Sequence, residues 1–332
     1  MKDGYIIVCE FLGYRQREGL RKNTRSFRYK NPGRIYYFRE DYEMSEKKKA
    51  RSHALTDRHP YIASVLMGIV MWLIGSFGTI LINMLIHLVF KDYPVEAGPV
   101  GILAGSVAAF AFYKFWFRPE FEGHLKGGNM KAGFRIAVPY IVYLIFSFVL
   151  DAFFAPNYVF RIIPLDMLLR ALVAGFIEEC IFRGGMLTTL TRRMPGPKRI
   201  LPAVLFSSAV FGIVHMTNIN SGYSVVQASV QSVNAFTTGI VDALIFLVSG
   251  NAWTTILLHV LHDIIAFSFE NPAGFVVNWE TWLNFVLCTA LGVHSIVMLR
   301  KPEIQKHILK MWAKKWNEPA EAEGSTQYTE QA

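Results

Sequence analysis

The chain has 332 residues, a formal net charge of +9 and a hydrophobic fraction of 52%. That fraction exceeds the roughly 45–50% of ordinary soluble domains, and the charged fraction of 18% lies below the usual value of about 25%. This composition excludes an intrinsically disordered protein, which needs low hydrophobicity and high charge. A chain that is both apolar and basic usually carries the two properties in different regions.

Residues 1–60 form a basic N-terminal region, with 15 Lys or Arg against 8 Asp or Glu. A basic run at Lys47, Lys48, Lys49 and Arg51 lies shortly before the first apolar segment. Such clusters beside a first membrane span set its orientation and attract anionic lipid headgroups. We therefore predict a cytoplasmic region that contacts the lipid surface, and we expect no nucleic-acid partner because no recognisable binding motif accompanies the charge.

Residues 61–90 contain no Asp, Glu, Lys or Arg, and about 20 apolar residues already span a bilayer. Seven further apolar segments follow, at 99–117, 136–156, 163–190, 200–216, 223–249, 252–269 and 281–299. Basic residues collect in alternate loops, and the loops between these keep only Lys91 and Arg161. Because Lys and Arg accumulate in cytoplasmic loops, we predict eight spans with both termini in the cytoplasm.

The predicted fold class is therefore an all-α polytopic membrane protein with about eight transmembrane helices. Its parts are the basic region 1–60, a transmembrane domain at 61–299 and a cytoplasmic tail at 300–332. The tail is rich in Glu, Ser and Gln and is predicted to be disordered from about residue 318.

Ionisable side chains inside a span are costly and indicate functional sites. In the fourth predicted span, Glu179 and Arg183 are four residues apart, so they share a helix face and can pair. Glu178 points about 100° away from Glu179 and has no partner in its own helix, which suits general acid–base chemistry. A structural ion-pair network or a water-filled ion path is an equally weighted alternative for these glutamates.

Three histidines lie in the later spans. His215 follows Phe211 by four residues, but a single His near the end of an apolar span is more often a packing residue than a ligand. His259 and Asp263 are also four apart, as in helical metal sites and in pairs that orient a base. His262 lies partly on the same face as His259, so the spacing alone does not choose between them, although His259 is favoured.

Taken together, these segments resemble the motifs of the CAAX-protease and bacteriocin-processing (CPBP) family. This family of intramembrane endopeptidases includes prenyl-protein-processing proteases and bacterial Abi proteins. The matching motifs occur in order as Glu178-Glu179-x-x-x-Arg183, Phe211-x-x-x-His215 and His259-x-x-x-Asp263. The resemblance covers approximately residues 165–269, and Asp263 stands where the prenyl-processing branch usually has Asn.

The resemblance implies a protease core at about residues 165–269, with its active site on buried helices 4, 5 and 7. It implies that Glu178 activates the water that attacks a peptide carbonyl. It also implies that Glu179 and Arg183 fix the helix and orient Glu178.

In the same resemblance, His215 and His259 hold the water, the developing oxyanion or a metal, and Asp263 supports them. Two imidazoles and a carboxylate can form an open zinc site that lowers the pKa of bound water. A glutamate with two imidazole donors can also work without metal. The family is commonly described as metalloproteases, which slightly favours zinc, with His215 and His259 as ligands.

Two other functions fit parts of the sequence. A transporter or channel would use the buried ionisable residues, including Asp151, Asp166, Arg170 and Asp242, as an ion path. An inactive member of the same fold would serve as an immunity or binding protein. The predicted partners of the protease are a membrane-associated protein or peptide and the bilayer, in a prokaryotic cell membrane or in the endoplasmic reticulum of a eukaryote.

Overall fold

The computed structural model describes residues 55–94, 98–116, 124–155, 158–194, 197–270 and 275–316. Most of the predicted basic region 1–60 lies outside these residues, as does the tail segment predicted to be disordered. The prediction that both termini are cytoplasmic likewise stays a prediction.

Helices form almost all of the described structure. In chain order they are α1 Pro60–Val89, α2 Pro99–Trp116, α3 Met130–Ile136, α4 Val138–Phe153, α5 Leu165–Glu179, α6 Thr188–Arg193, α7 Ile200–His215, α8 Val225–Ser249, α9 Ala252–Phe267, α10 Trp279–Arg300 and α11 Pro302–Lys315. A π-helical segment, Cys180–Leu187, joins α5 to α6, and 3₁₀ turns at Pro197–Arg199 and Met216–Ser221 flank α7. The short strands β1 Val159–Phe160 and β2 Phe269–Glu270 pair antiparallel, with Val159 opposite Glu270.

The fold class is confirmed as an all-α polytopic membrane protein, and each of the eight predicted apolar segments contains a helix. Among the described residues, α1, α7 with its following turn, α8 and α10 are long and apolar enough to cross a membrane. The bent pair of α3 and α4, which meet at 59°, would make a fifth span. The predicted count of eight is therefore not confirmed, because α2 and α9 are short and the 15-residue α5 carries four charged side chains.

Helix α8 lies at the centre of the bundle. Of its apolar window 78% is buried, compared with 11% for α1, whose side chains mostly face outward. Helix α8 is capped by Gly250, where a φ of 61° favours glycine. The side chain of Asn251 then accepts a hydrogen bond from the Trp253 backbone N–H at 2.8 Å and caps the start of α9. This short turn places α9 directly after the buried end of α8.

The C-terminal helix α11 is anchored on the same end of α8 by a buried tryptophan. Trp312 is 1% exposed, its indole N–H donates to the Leu247 carbonyl at 3.0 Å, and its ring centroid lies 5.1 Å from that of Phe246. Nearby, Lys315 Nζ donates to the Lys126 carbonyl at 2.9 Å. Helix α11 therefore ties the loop before α3 to the end of the central helix.

We predict that Trp312→Ala lowers the free energy of unfolding by about 3–5 kcal/mol, the usual cost of removing a buried aromatic side chain. Thermal or denaturant unfolding in detergent measures this loss. Trp282→Ala is the matched control because Trp282 is 61% exposed, and it should change the stability by less than about 1 kcal/mol. Equal losses in the two variants would contradict the docking of α11.

Candidate active site

A close helix contact brings the two glutamates of α5 to the histidine of α9. A Cβ atom at Gly175 would lie 2.6 Å from Val260 Cγ2 and 3.1 Å from the Val260 backbone nitrogen. Only glycine therefore permits α5 and α9 to approach this closely. Since Gly175 precedes Glu178 by one helical turn and Val260 follows His259, this contact places the carboxylates beside the imidazole.

His259 lies between three carboxylates. Its Nδ1 is 3.0 Å from Glu179 Oε1, and its Nε2 is 3.8 Å from both Glu178 Oε2 and Asp263 Oδ2. An ionised carboxylate only accepts hydrogen bonds, so His259 Nδ1 donates to Glu179 and Nε2 faces the other two groups. The two neighbouring glutamates therefore approach the two different nitrogens of one imidazole ring.

Arg183 lies on the buried side of the cluster that His259 forms with the three carboxylates. Its Nη1 is 3.0 Å from Glu179 Oε1, the ion pair that the four-residue spacing predicts. Its Nη2 is 3.2 Å from Asp242 Oδ2 on α8, and its guanidinium lies 4.6 Å from the centroid of the Phe211 ring. The predicted pair is thus part of a larger buried group in which one cation serves two carboxylates.

Among the described residues, Asp242 contacts this cluster although the sequence motifs do not include it. It lies 59 residues after Arg183, and its only signal in the sequence is a carboxylate in an otherwise apolar span. The side chain is buried, and its contact with Arg183 gives it a structural role in supporting the site.

Phe211 and His215 approach the cluster from α7. The Phe211 ring centroid is 4.8 Å from that of His215 and 6.0 Å from that of His259. His215 Nδ1 donates to the Phe211 carbonyl at 2.9 Å, because a carbonyl oxygen can only accept. Helix α7 is held against α8 by Ser232 Oγ, which donates to the Gly212 carbonyl at 2.7 Å. The aromatic ring of Phe211 therefore contacts both predicted histidines.

The structure distinguishes His259 from His262. Whereas His259 contacts the glutamates of α5, His262 Nδ1 lies 2.9 Å from the hydroxyl of Tyr140 on α4. The rings of Tyr140 and Tyr143 both meet His262 edge-on. His259 is therefore the imidazole of the carboxylate cluster, as the sequence favours, and His262 belongs to an adjoining aromatic contact.

Exposure divides the cluster into an outer and an inner part. The side chains of Glu178 and Asp263 are 32% and 22% exposed, whereas those of Glu179 and Arg183 are 0% and 2% exposed. The side chains of Glu178 and Asp263 are therefore accessible from outside the bundle, while the inner group is closed.

The donor atoms do not form a recognisable metal site. Among the residues that the structure describes, no group of three or more His, Cys, Asp or Glu side chains is arranged to hold a metal ion. His259 already has Glu179 at Nδ1 and two carboxylates opposite Nε2. The expected zinc site at His215 and His259 thus finds no support in this arrangement, and we derive no reaction step through a metal.

Residues 160–265 match the family model described as Rce1-like, type II CAAX prenyl endopeptidase. This range contains all three predicted motifs. No curated protein and no solved structure matches the chain. The match supports an intramembrane endopeptidase of the CAAX type in general. The carboxylate and imidazole cluster therefore lies in a segment of the chain that is similar to the Rce1-like family of type II CAAX prenyl endopeptidases.

Proposed function

We propose that the protein hydrolyses a peptide bond of a membrane-associated protein or peptide, with Glu178 as the general base. The observation that carries this proposal is the state of Glu178 Oε2. That atom is buried, has no hydrogen-bond partner among the described residues, and faces His259 Nε2 at 3.8 Å. A buried carboxylate oxygen needs a partner, and we infer that a water molecule between the two atoms supplies it.

The proposed reaction begins when Glu178 takes a proton from this water. The water oxygen attacks the carbonyl carbon of the peptide and forms a tetrahedral intermediate with negative charge on the former carbonyl oxygen. The C–N bond then breaks, and the proton held by Glu178 passes to the leaving nitrogen. The products are a carboxylate and an amine, so no oxidant, reductant or additional reactant is required.

The neighbouring groups have separate tasks in this reaction. His259 orients the attacking water opposite Glu178, and Asp263 holds the Nε2 side of the same ring from the next helical turn. Because His215 Nδ1 donates to Phe211, the Nε2 of a neutral His215 ring carries no proton and can accept a hydrogen bond from the water. His215 is therefore better suited to binding the water than to binding an oxyanion.

The inner group fixes these atoms without touching the substrate. Glu179 holds His259 Nδ1, and Arg183 joins Glu179 to Asp242 on the central helix. A catalytic group keeps the geometry that the reaction needs when the neighbours that hold it are fixed by contacts of their own. Glu179, Arg183 and Asp242 thus act as positioning residues.

A peptide with a prenylated Cys in a C-terminal CAAX sequence is the first substrate to test, because the matched family is described by that chemistry. Because several described helices are long and apolar enough to cross a membrane, we expect the substrate to reach the site from a membrane anchor. We propose a prokaryotic cell membrane as the location, with the basic residues of region 1–60 at anionic headgroups.

The full chain, purified in detergent, should cleave a fluorogenic membrane-anchored peptide, and His259→Ala should reduce kcat/KM by at least about 10² because the water loses its orienting partner. The assay compares prenylated and unprenylated CAAX peptides with an anchored peptide that lacks the motif. His294→Ala is the matched control, since His294 is an exposed histidine on α10. If the wild type cleaves none of these peptides, or if His259→Ala retains full activity, the proposed function is wrong.

We predict that removal of bound metal changes the cleavage rate by less than about twofold, since the described donors form no metal group. The measurement titrates a chelator into the same assay and verifies the metal content by elemental analysis. A loss of activity that zinc restores would show instead that a metal holds the water.

A further inference from the structure

His262 is an imidazole beside the reaction centre to which the mechanism above gives no task. It lies three residues after His259 on α9, so the two side chains leave neighbouring positions on the helix surface. Its Nδ1 lies 2.9 Å from the hydroxyl of Tyr140, which is 1% exposed. The rings of Tyr140 and Tyr143 meet it edge-on at centroid distances of 6.2 and 6.5 Å. These contacts hold the ring in one orientation.

The contact with Tyr140 also determines which nitrogen of His262 carries the proton. A buried phenol must donate its proton to an acceptor, and the acceptor that the described residues offer to Tyr140 is His262 Nδ1. The hydroxyl therefore donates, Nδ1 accepts, and the proton of the neutral ring lies on Nε2. No described residue is a hydrogen-bond partner of this Nε2. The atom is not fully enclosed, so it is open to a ligand.

The other two imidazoles already face other groups. Neutral His215 has its proton on Nδ1, bound to the Phe211 carbonyl, and His259 Nε2 faces the carboxylates of Glu178 and Asp263. Peptide hydrolysis nevertheless develops negative charge on the carbonyl oxygen, and that charge is stabilised by N–H donors placed in advance. An accessible Nε2–H on a neutral His262 meets this need.

We propose that His262 is a catalytic N–H donor that binds the carbonyl oxygen of the scissile peptide, and that Tyr140 is the positioning residue that fixes its tautomer. This inference rests on the proposed hydrolytic function. It adds to that function a substrate-binding group at a position that the third sequence motif leaves unspecified.

Two amide substitutions separate this role from a purely structural one. The amide of His262→Gln places a donor near the position of Nε2, whereas the amide of His262→Asn lies near Nδ1 and preserves the contact with Tyr140. If Nε2–H binds the carbonyl oxygen, His262→Asn should lower kcat by about 10²-fold with little change in KM, and His262→Gln should stay within about tenfold of the wild type.

Tyr140→Phe provides a second measurement that removes one oxygen atom and keeps the buried ring. We expect kcat to fall by about tenfold in the wild-type background, because the proton of His262 is then no longer confined to Nε2. In the His262→Gln background the same change should have almost no effect, since an amide has no tautomer to fix. A double-mutant cycle in kcat gives this difference directly.

The proposal is overturned if His262→Asn is as active as the wild type, if the Asn and Gln variants lose activity equally, or if Tyr140→Phe has the same effect in both backgrounds. Each of these results indicates a packing role. His294→Asn and His294→Gln are the matched controls for the two amides. Wild-type protein that cleaves no anchored peptide would instead overturn the proposed function itself, and cleavage that survives Glu178→Gln would overturn only its assignment of the general base.

Discussion

Glu178→Gln is expected to lower kcat by about 10³–10⁴-fold, because an amide cannot take the proton that a general base removes from water. The substitution keeps the size of the side chain and leaves the contacts of Glu179 and Arg183 in place. Single-turnover cleavage of an anchored peptide measures the effect, and KM should change little because the carboxylate acts on the water and not on substrate binding.

Glu303→Gln is the control for this experiment, since Glu303 is an exposed glutamate on α11. It should have wild-type activity, and both variants should unfold at the wild-type temperature. Retention of more than about a tenth of the activity by Glu178→Gln would assign the base to another group, with Asp263 the next carboxylate to test.

Arg183→Met is expected to lower the free energy of unfolding by about 3–5 kcal/mol, the usual cost of removing one partner from a buried ion pair. The change leaves the buried carboxylates of Glu179 and Asp242 without their shared cation. Unfolding in detergent measures the loss. The matched control is Arg193→Met, because Arg193 pairs with the half-exposed Asp57 at 2.8 Å, where an ion pair contributes only about 0–1 kcal/mol.

A compensating variant tests the cause of this instability. Combining Arg183→Met with Glu179→Gln and Asp242→Asn removes the unpaired charges while the Gln oxygen can still accept from His259 Nδ1. We expect this triple variant to recover most of the lost stability, since an uncharged replacement of a buried ion group is often neutral. A triple variant less stable than Arg183→Met alone would show that desolvated charge is not the main cause.

Local spacing predicted the features of the site that lie within one helix. Residues four apart share a face in any α-helix, so the pairing of Glu179 with Arg183 follows from the sequence alone. The same rule places Asp263 beside His259, and the observed 3.8 Å separation agrees with it. The π-helical segment that begins at Cys180 has no comparable signal in the sequence.

Contacts between helices could not be predicted in the same way. Spacing showed that Glu178 points away from Glu179, but not that both would approach one imidazole ring on α9. That outcome depends on the close packing of Gly175 against Val260, which fixes the rotation of the two helices about each other. The pairing of Asp242 with Arg183 depends similarly on where α8 lies in the bundle.

The separation of long apolar segments from basic ones determines the all-α membrane fold, because long uncharged segments must satisfy their backbone groups within helices. It also determines which ionisable residues are unusual enough to suggest chemistry. The tertiary structure alone decided which helices are long enough to span a membrane. It also decided that His259 rather than His262 contacts the glutamates, and that Tyr140 binds His262. The physical reason is that periodicity specifies the face of a helix on which a residue lies, whereas packing specifies what that face meets.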